Sequence, residues 1–216
     1  MASSKPAAAR TGRRGFAHHG SDATGRDAAV LETDVSEETL QERLAEDLDG
    51  AFAALVSTLQ DDVYTAALRW SGNRAAAEDI AQEAFLRAYS ALGRYGAERV
   101  RELHLRAWLL TIALNVFRNE LRSAARRPAT EPLADGVLVV EDGRAPDDLA
   151  STIVLALPEE QRVPVVLRHV LGLSYDEIAE ILGRPEGTVK AQAARGIRRL
   201  RESLAEVEPE RTEVRR

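Results

Sequence analysis

Lys190, Gln192, Arg195, Arg198 and Arg199 fall within one short stretch, with Thr188, Ala191 and Ala194 on the same outward side. Cations so placed grip phosphates or pair with the O6 and N7 atoms of guanine. Lys190 and Arg195 suit either task, Gln192 suits adenine, and Arg198, Arg199 and Arg201 suit phosphates. The small side chains let a helix approach the groove or touch a thymine methyl. A second set, Asn115, Arg118, Asn119, Arg122 and Arg126, recurs at spacings of three and four, which aligns it along one helical stripe. That stripe suits a nucleic-acid backbone, its asparagines able to donate and accept at base edges. A third set is acidic and amide-bearing: Glu78, Asp79, Gln82 and Glu83.

Other chemistries lack their residues. The chain has 216 residues and no cysteine, which removes disulfides, thiolate metal sites and thiol nucleophiles. His18, His19, His104 and His169 are scattered, and there is neither a phosphate loop nor a nucleophile elbow. No metal, cofactor or catalytic residue is therefore expected, and the chain is read as a non-enzyme. The longest apolar stretch, Ala107 to Leu114, is far too short to span a bilayer, and no apolar segment follows Arg13-Arg14. A cytoplasmic protein without membrane insertion is expected. The net charge of −6, from 29 basic and 35 acidic side chains, hides a segregation. Acids crowd Glu32 to Asp49, while bases crowd Arg118 to Arg127 and Arg184 to Arg201. Two basic segments on an acidic chain point to polyanion contact at two places, with acidic surface left for another partner.

The elements that must position these residues are helices. Residues 1–36 have no apolar periodicity and read as a disordered tail. Residues 37–127 are helical in pattern, punctuated at Ser71-Gly72-Asn73. A helix from Arg74 sets Ile80, Ala84, Phe85, Ala88 and Leu92 on one face, and a helix over Leu105–Arg126 buries Leu105, Leu109, Ile112, Val116 and Leu121. Residues 128–148 carry Pro, Gly and acids around Val137–Val140 and read as a flexible linker. Residues 149–207 are helical again, with 208–216 as a C-terminal tail, and Pro164 is expected to kink its helix. Ser174 with Glu177 forms a capping box, Gly183 stops that helix, and Arg184 and Pro185 lead into a second, which buries Val189, Ala193, Ile197, Leu200 and Leu204. This is helix-turn-helix geometry, whose second helix enters the major groove. The fold class is all-α: two small helical domains joined by a flexible linker.

These residues resemble the extracytoplasmic-function group of the bacterial RNA polymerase sigma factors, of the sigma-70 family. The stretch from Gly72 to Tyr89 looks like the family's core-binding helix, and Arg106 to Asn115 like its promoter-melting helix. Leu157 to Arg162, Gly172 to Ala179 and Gly187 to Lys190 look like the family's region 4, a winged-helix-like helix-turn-helix domain. The resemblance covers roughly residues 45–206, in the family's order.

The resemblance implies a protein that binds core polymerase, directs it to promoters and promotes DNA melting, in a stress response. Region 2 (37–127) would meet the clamp helices of the largest subunit through Glu78, Asp79, Gln82, Glu83 and Phe85. It would hold an extruded minus-ten base between the Arg94–His104 loop and the following helix, with Tyr95 stacking, Asn115 and Asn119 reading edges, and Arg118 and Arg122 holding the strand. Region 4 (149–207) would meet the flap of the second-largest subunit. It would read the minus-thirty-five element with Arg184, Thr188, Lys190, Ala191, Gln192, Ala194, Arg195, Arg198 and Arg199. An anti-sigma factor is a further partner of this kind of protein. Trp70 and Trp108 are expected in the core. Measured against the family, the Gly93–Arg106 loop is long, the acidic stretch before Asp49 lies outside the compact core as an extra helix or a regulatory tail, and Gly196 is a costly helix residue. The alternative is an autonomous helix-turn-helix regulator that binds DNA without polymerase, which leaves the Glu78–Tyr89 helix without a task.

Overall fold

The structure, a computed structural model, describes residues 36–126 and 149–213. The expected N-terminal tail up to residue 35 and the 128–148 linker, with Val137–Val140, lie outside the described residues. Within them every regular element is a helix.

Side chains set the helix ends. Ser36 accepts from the Thr39 amide to start α1 (Glu37–Glu46), whose first-turn Glu37 and Glu38 suit the positive end of the helix dipole. Asp47 accepts from the Gly50 amide at 3.0 Å to start α2 (Leu48–Ser71). That helix stops at Gly72, whose φ of 71° is costly for any side chain. A Cβ there would also lie 2.6 Å from Leu155, so the position is closed to larger residues twice over. Asn73 caps α3 (Arg74–Leu92) by accepting from the Ala76 amide. The short α4 (Ala97–Arg101) follows, then α5 (Leu105–Arg126), with the bounds that periodicity predicts.

Helices α2, α3 and α5 pack around Trp70, which is fully buried 5.9 Å from the Phe117 ring. Trp108 departs from expectation: it is half-buried and sits at the edge of the bundle. The acidic stretch before Asp49 also departs. It is the extra helix, one of its two expected forms, but its Leu40 and Leu44 are buried, so α1 belongs to the core rather than lying outside it. Two leucines four residues apart suffice to dock a helix whose other faces are charged.

The second half begins with α6 (Leu149–Leu155) and α7 (Glu159–Val165). Pro164 lies inside α7, and the helix then widens into a π-helical stretch, Val166–Val170, in which the Leu171 amide donates to Val166 O five residues back. A proline has no amide to donate and crowds the preceding turn, so a change of winding beside it is the local solution. The predicted capping box opens α8 (Tyr175–Leu182): Ser174 Oγ accepts from the Glu177 amide, and the Glu177 carboxylate accepts from the Ser174 amide. Gly183 takes the left-handed conformation at φ 59°. The Arg184 and Gly183 amides donate to Ala179 O and Glu180 O, a Schellman closure. Helix α9 (Glu186–Glu213) then runs past Val207, beyond the boundary expected from sequence.

One stripe of α9 is rotated from its expected place. Val189 and Ala193 are buried as predicted, but Leu204 is 42% exposed, and Gln192 and Gly196 are buried instead. Gly196 is the reason, because its hydrogen lets α7 come close. A Cβ there would stand 2.7 Å from Val165 Cγ2 and 3.3 Å from Gln161 O.

The two halves share one apolar core, which runs from Leu40 and Trp70 to Val166, Leu173 and Val189. Polar contacts edge that junction. Arg162 donates through Nη1 to Trp70 O and through Nε and Nη2 to Leu157 O. Arg106 donates to Asp62 at 2.6 Å and to Leu171 O at 2.7 Å.

Candidate nucleic-acid and polymerase interfaces

On α3 the buried stripe Ile80, Ala84 and Ala88 fixes the opposite face outward, leaving Glu78, Asp79 and Gln82 exposed. Glu83 pairs with Arg87 at 2.7 Å, one turn on. Phe85 is half-buried against the core, so it supports this face more than it presents itself. Asp79, Gln82 and Glu83 line a shallow concavity of about 370 Å³ with Leu86 and Glu120, two residues that sequence reasoning missed. Leu86 is 60% exposed, and its place off the buried stripe was a readable signal. Glu120 comes from α5 and only the fold brings it here. Burial, and then the neighbouring Asp79 and Glu83 carboxylates, push its carboxyl above the ordinary value.

Beside this face lies a larger open cavity of about 510 Å³ between α3 and α5, walled by Arg94, Tyr95, Trp108, Ile112 and Asn115. Tyr95 and Trp108 stand 6.2 Å apart at 58°, and the guanidinium of Arg99, on α4, lies 4.5 Å from the Tyr95 ring centre. An aromatic wall with an amide and a cation at its rim can take a flat, polar-edged group. The Gly93–Arg106 segment is not a loose loop, since it contains α4 with Val100 buried.

Farther along α5, Asn115 and Asn119 are exposed, as the stripe requires. Arg118 is not available in the same way: its Nε donates to Glu159 Oε1 of α7 at 2.7 Å. Arg122 Nε in turn donates to Arg118 O. The structure thus holds one expected strand-gripping cation against the other half of the chain, while the cavity stays open.

On α9, Thr188, Lys190, Ala191, Ala194, Arg195, Arg198 and Arg199 are all exposed on the outer face, and Arg184 is half-exposed in the turn. Lys190 pairs with Glu186 at 2.6 Å, which holds its ammonium above the ordinary value. Tyr175 is flanked by Lys190 at 5.6 Å and Arg168 at 5.0 Å, a cationic rim around one ring. Gln192 is separated from this group. It is buried, and its Oε1 has no hydrogen-bond partner among the described residues. Among the described residues no cluster of His, Cys, Asp or Glu could hold a metal, and no helix is long and apolar enough to cross a membrane.

Residues 55–127 match the family described as Sigma-70 region 2, and residues 148–200 match Sigma-70, region 4. The ECF RNA polymerase sigma factor SigW of Bacillus subtilis is 36% identical over 173 residues, covering 73% of this chain and 90% of that protein. The chain belongs to the ECF RNA polymerase sigma factors. The ECF sigma-E factor of Escherichia coli is 32% identical over 180 residues, covering 74% of this sigma factor and 90% of that one. A solved sigma factor RpoE from Bartonella quintana, in complex with the anti-sigma factor NepR, superposes with a TM-score of 0.56 at 25% identity, over 71% of this chain and 96% of that one. CnrH, in complex with the cytosolic domain of CnrY, shares the fold at a TM-score of 0.59 and 22% identity, over 79% of this chain and 97% of that one. As a member of this family the sigma factor acts in transcription initiation as an RNA polymerase-binding, DNA-binding subunit. Sigma factors are in general non-enzymatic.

Proposed function

We propose that this sigma factor docks on core polymerase through the Asp79, Gln82, Glu83 and Leu86 face of α3, with Glu120 at its edge, against the clamp helices of the largest subunit. Region 2 then opens the minus-ten element, and the cavity between α3 and α5 receives an extruded base. Unpairing a base costs a few kcal/mol, so a melting protein needs a place that holds the base and cations that hold its strand. The observation that carries this reading is the open cavity walled by Tyr95, Trp108 and Asn115, next to the exposed Asn119 and the cationic stripe of α5. Helix α9 reads the minus-thirty-five element in the major groove through Lys190, Arg195 and their exposed neighbours, and region 4 meets the flap of the second-largest subunit. The solved RpoE bound to the anti-sigma factor NepR supports an anti-sigma factor as a further partner, and a stress response is the setting we propose for it.

The junction between the two halves must open for this to happen. The two promoter elements lie about 25 base pairs apart, roughly 85 Å at 3.4 Å per base pair. Residues 127–148, outside the described residues, could span at most about 75 Å if fully extended. A packed body of this size is about 40 Å across. With the width of the two helical modules added to the linker, an extended chain therefore reaches both elements and a packed one does not. Run-off transcription with purified core polymerase on a promoter library tests the whole reading. Selective initiation that requires this chain is expected. Sequence-specific binding with no dependence on polymerase would favour the autonomous regulator instead.

A further inference from the structure

The acidic helix α1 makes no contact with the cavity, yet it is tied to α4, whose Arg99 covers the ring of the wall residue Tyr95. Glu42 Oε2 accepts from Arg101 Nε at 2.7 Å and Glu42 Oε1 from Arg101 Nη2 at 3.0 Å, a two-pronged pair between α1 and α4. From the adjacent residue, Gln41 Nε2 donates to Leu103 O at 2.6 Å, just past the C-terminal end of α4. Beneath these, Val100 is buried in the same core as Leu40 and Leu44.

Helix α4 has five residues, too few to hold a helical turn in water without outside support. Its position is therefore whatever its ties make it. Arg99 and Arg101 are two residues apart, so they leave the helix on nearly opposite sides. Arg101 reaches α1, and Arg99 covers the Tyr95 ring, which in turn faces Trp108 across the cavity wall. The short helix is a strut with α1 at one end and the aromatic wall at the other.

We propose that Glu42 and Gln41 of α1 are positioning residues for the base cavity, setting through α4 where Arg99 and Tyr95 stand and so how strictly the cavity selects and retains a base. This rests on the reading of that cavity as the minus-ten base site. A bidentate carboxylate–guanidinium pair fixes direction as well as distance, which a flexible loop of the same length would not do. It also gives the acidic N-terminal helix a task beyond burying two leucines.

The test uses the full chain assembled with core polymerase, on a promoter from which it transcribes, carrying 2-aminopurine at successive minus-ten positions. Glu42→Gln should lower the rate of base extrusion about three- to fivefold, the scale of one exposed ion pair. It should also narrow the gap between the cognate promoter and one with the extruded base replaced, with affinity for core polymerase and melting temperature unchanged. Combining Glu42→Arg with Arg101→Glu should restore most of the rate and the discrimination. Asn115→Ala serves as the control for the cavity itself. Loss of extrusion in Asn115→Ala with Glu42→Gln like wild type would overturn the positioning role alone. Wild-type behaviour in both would overturn the cavity reading and this inference together. Parallel loss of polymerase affinity and extrusion in Glu42→Gln, unrescued by the swap, would make Glu42 a general stability residue and end the proposal.

Discussion

Arg195 and Gln192 are three residues apart on one helix and were read alike from sequence, but their surroundings assign them different work. Arg195 is exposed on the outer face, whereas Gln192 is buried with an unpartnered amide oxygen. Arg195→Ala should therefore weaken holoenzyme binding by about 1–3 kcal/mol and relax preference at one minus-thirty-five position if it reads a base. Gln192→Ala should change the melting temperature and leave the promoter preference as it was. Binding measured across single-base variants of the element separates the two. Glu120 offers a second prediction at this scale. Its carboxyl is held above the ordinary value by burial and by Asp79 and Glu83, so the folded chain binds a proton more tightly than the unfolded one. That stability is present at low pH and is lost as pH rises through the folded value. Glu120→Gln should therefore melt higher than wild type at pH 7, with the difference shrinking toward pH 4; a difference that grows on acidification would reverse the assignment.

At the scale of elements, Gly196 inverts the expectation from helix propensity. An alanine would gain up to about 1 kcal/mol as a helix former. Its Cβ, however, would stand 2.7 Å from Val165 Cγ2, a stiff branched side chain in the core, and 3.3 Å from the Gln161 carbonyl. Overpacking of this kind costs about 1–3 kcal/mol, so Gly196→Ala should lower the melting temperature. A rise would mean that α7 and α9 can separate at little cost. The same close approach rotates the buried stripe of α9, which is why Leu204, read as core from its spacing, is exposed while Gln192 is not. Caps behave more locally. Ser174, Glu177 and Gly183 act where sequence placed them because a cap involves only neighbours along the chain.

For the whole molecule, the central fact is that region 4 rests on region 2 with Arg118 paired to Glu159 and Arg106 bonded to Leu171 O. In the proposed function, polymerase and promoter compete with these contacts. Glu159→Lys sets two cations face to face at the junction, so the free chain should expand in small-angle scattering and bind single-stranded minus-ten DNA more tightly than wild type. Unchanged dimensions and affinity would show that the apolar part of the junction holds it closed unaided. The concave acidic face and the cavity proposed to take the base both lie on region 2, clear of Arg118, so the packed chain still presents them.

Helices α3, α5, α8 and α9, the caps of α8, the helix-turn-helix and the cationic stripes follow from the sequence alone, because periodicity and capping are relations among residues a few positions apart. The family could be seen there too, since its motifs are local and occur in order. Tertiary structure decided which members of each set are available. It buried Gln192, engaged Arg118, moved Trp108 from the core to a cavity wall, and brought Glu120 of α5 beside the acids of α3. It also turned the acidic stretch before Asp49 into a core helix tied to α4. Each of these depends on which surfaces meet across tens of residues, and hydrophobic contact is non-directional, so no local pattern encodes the partner.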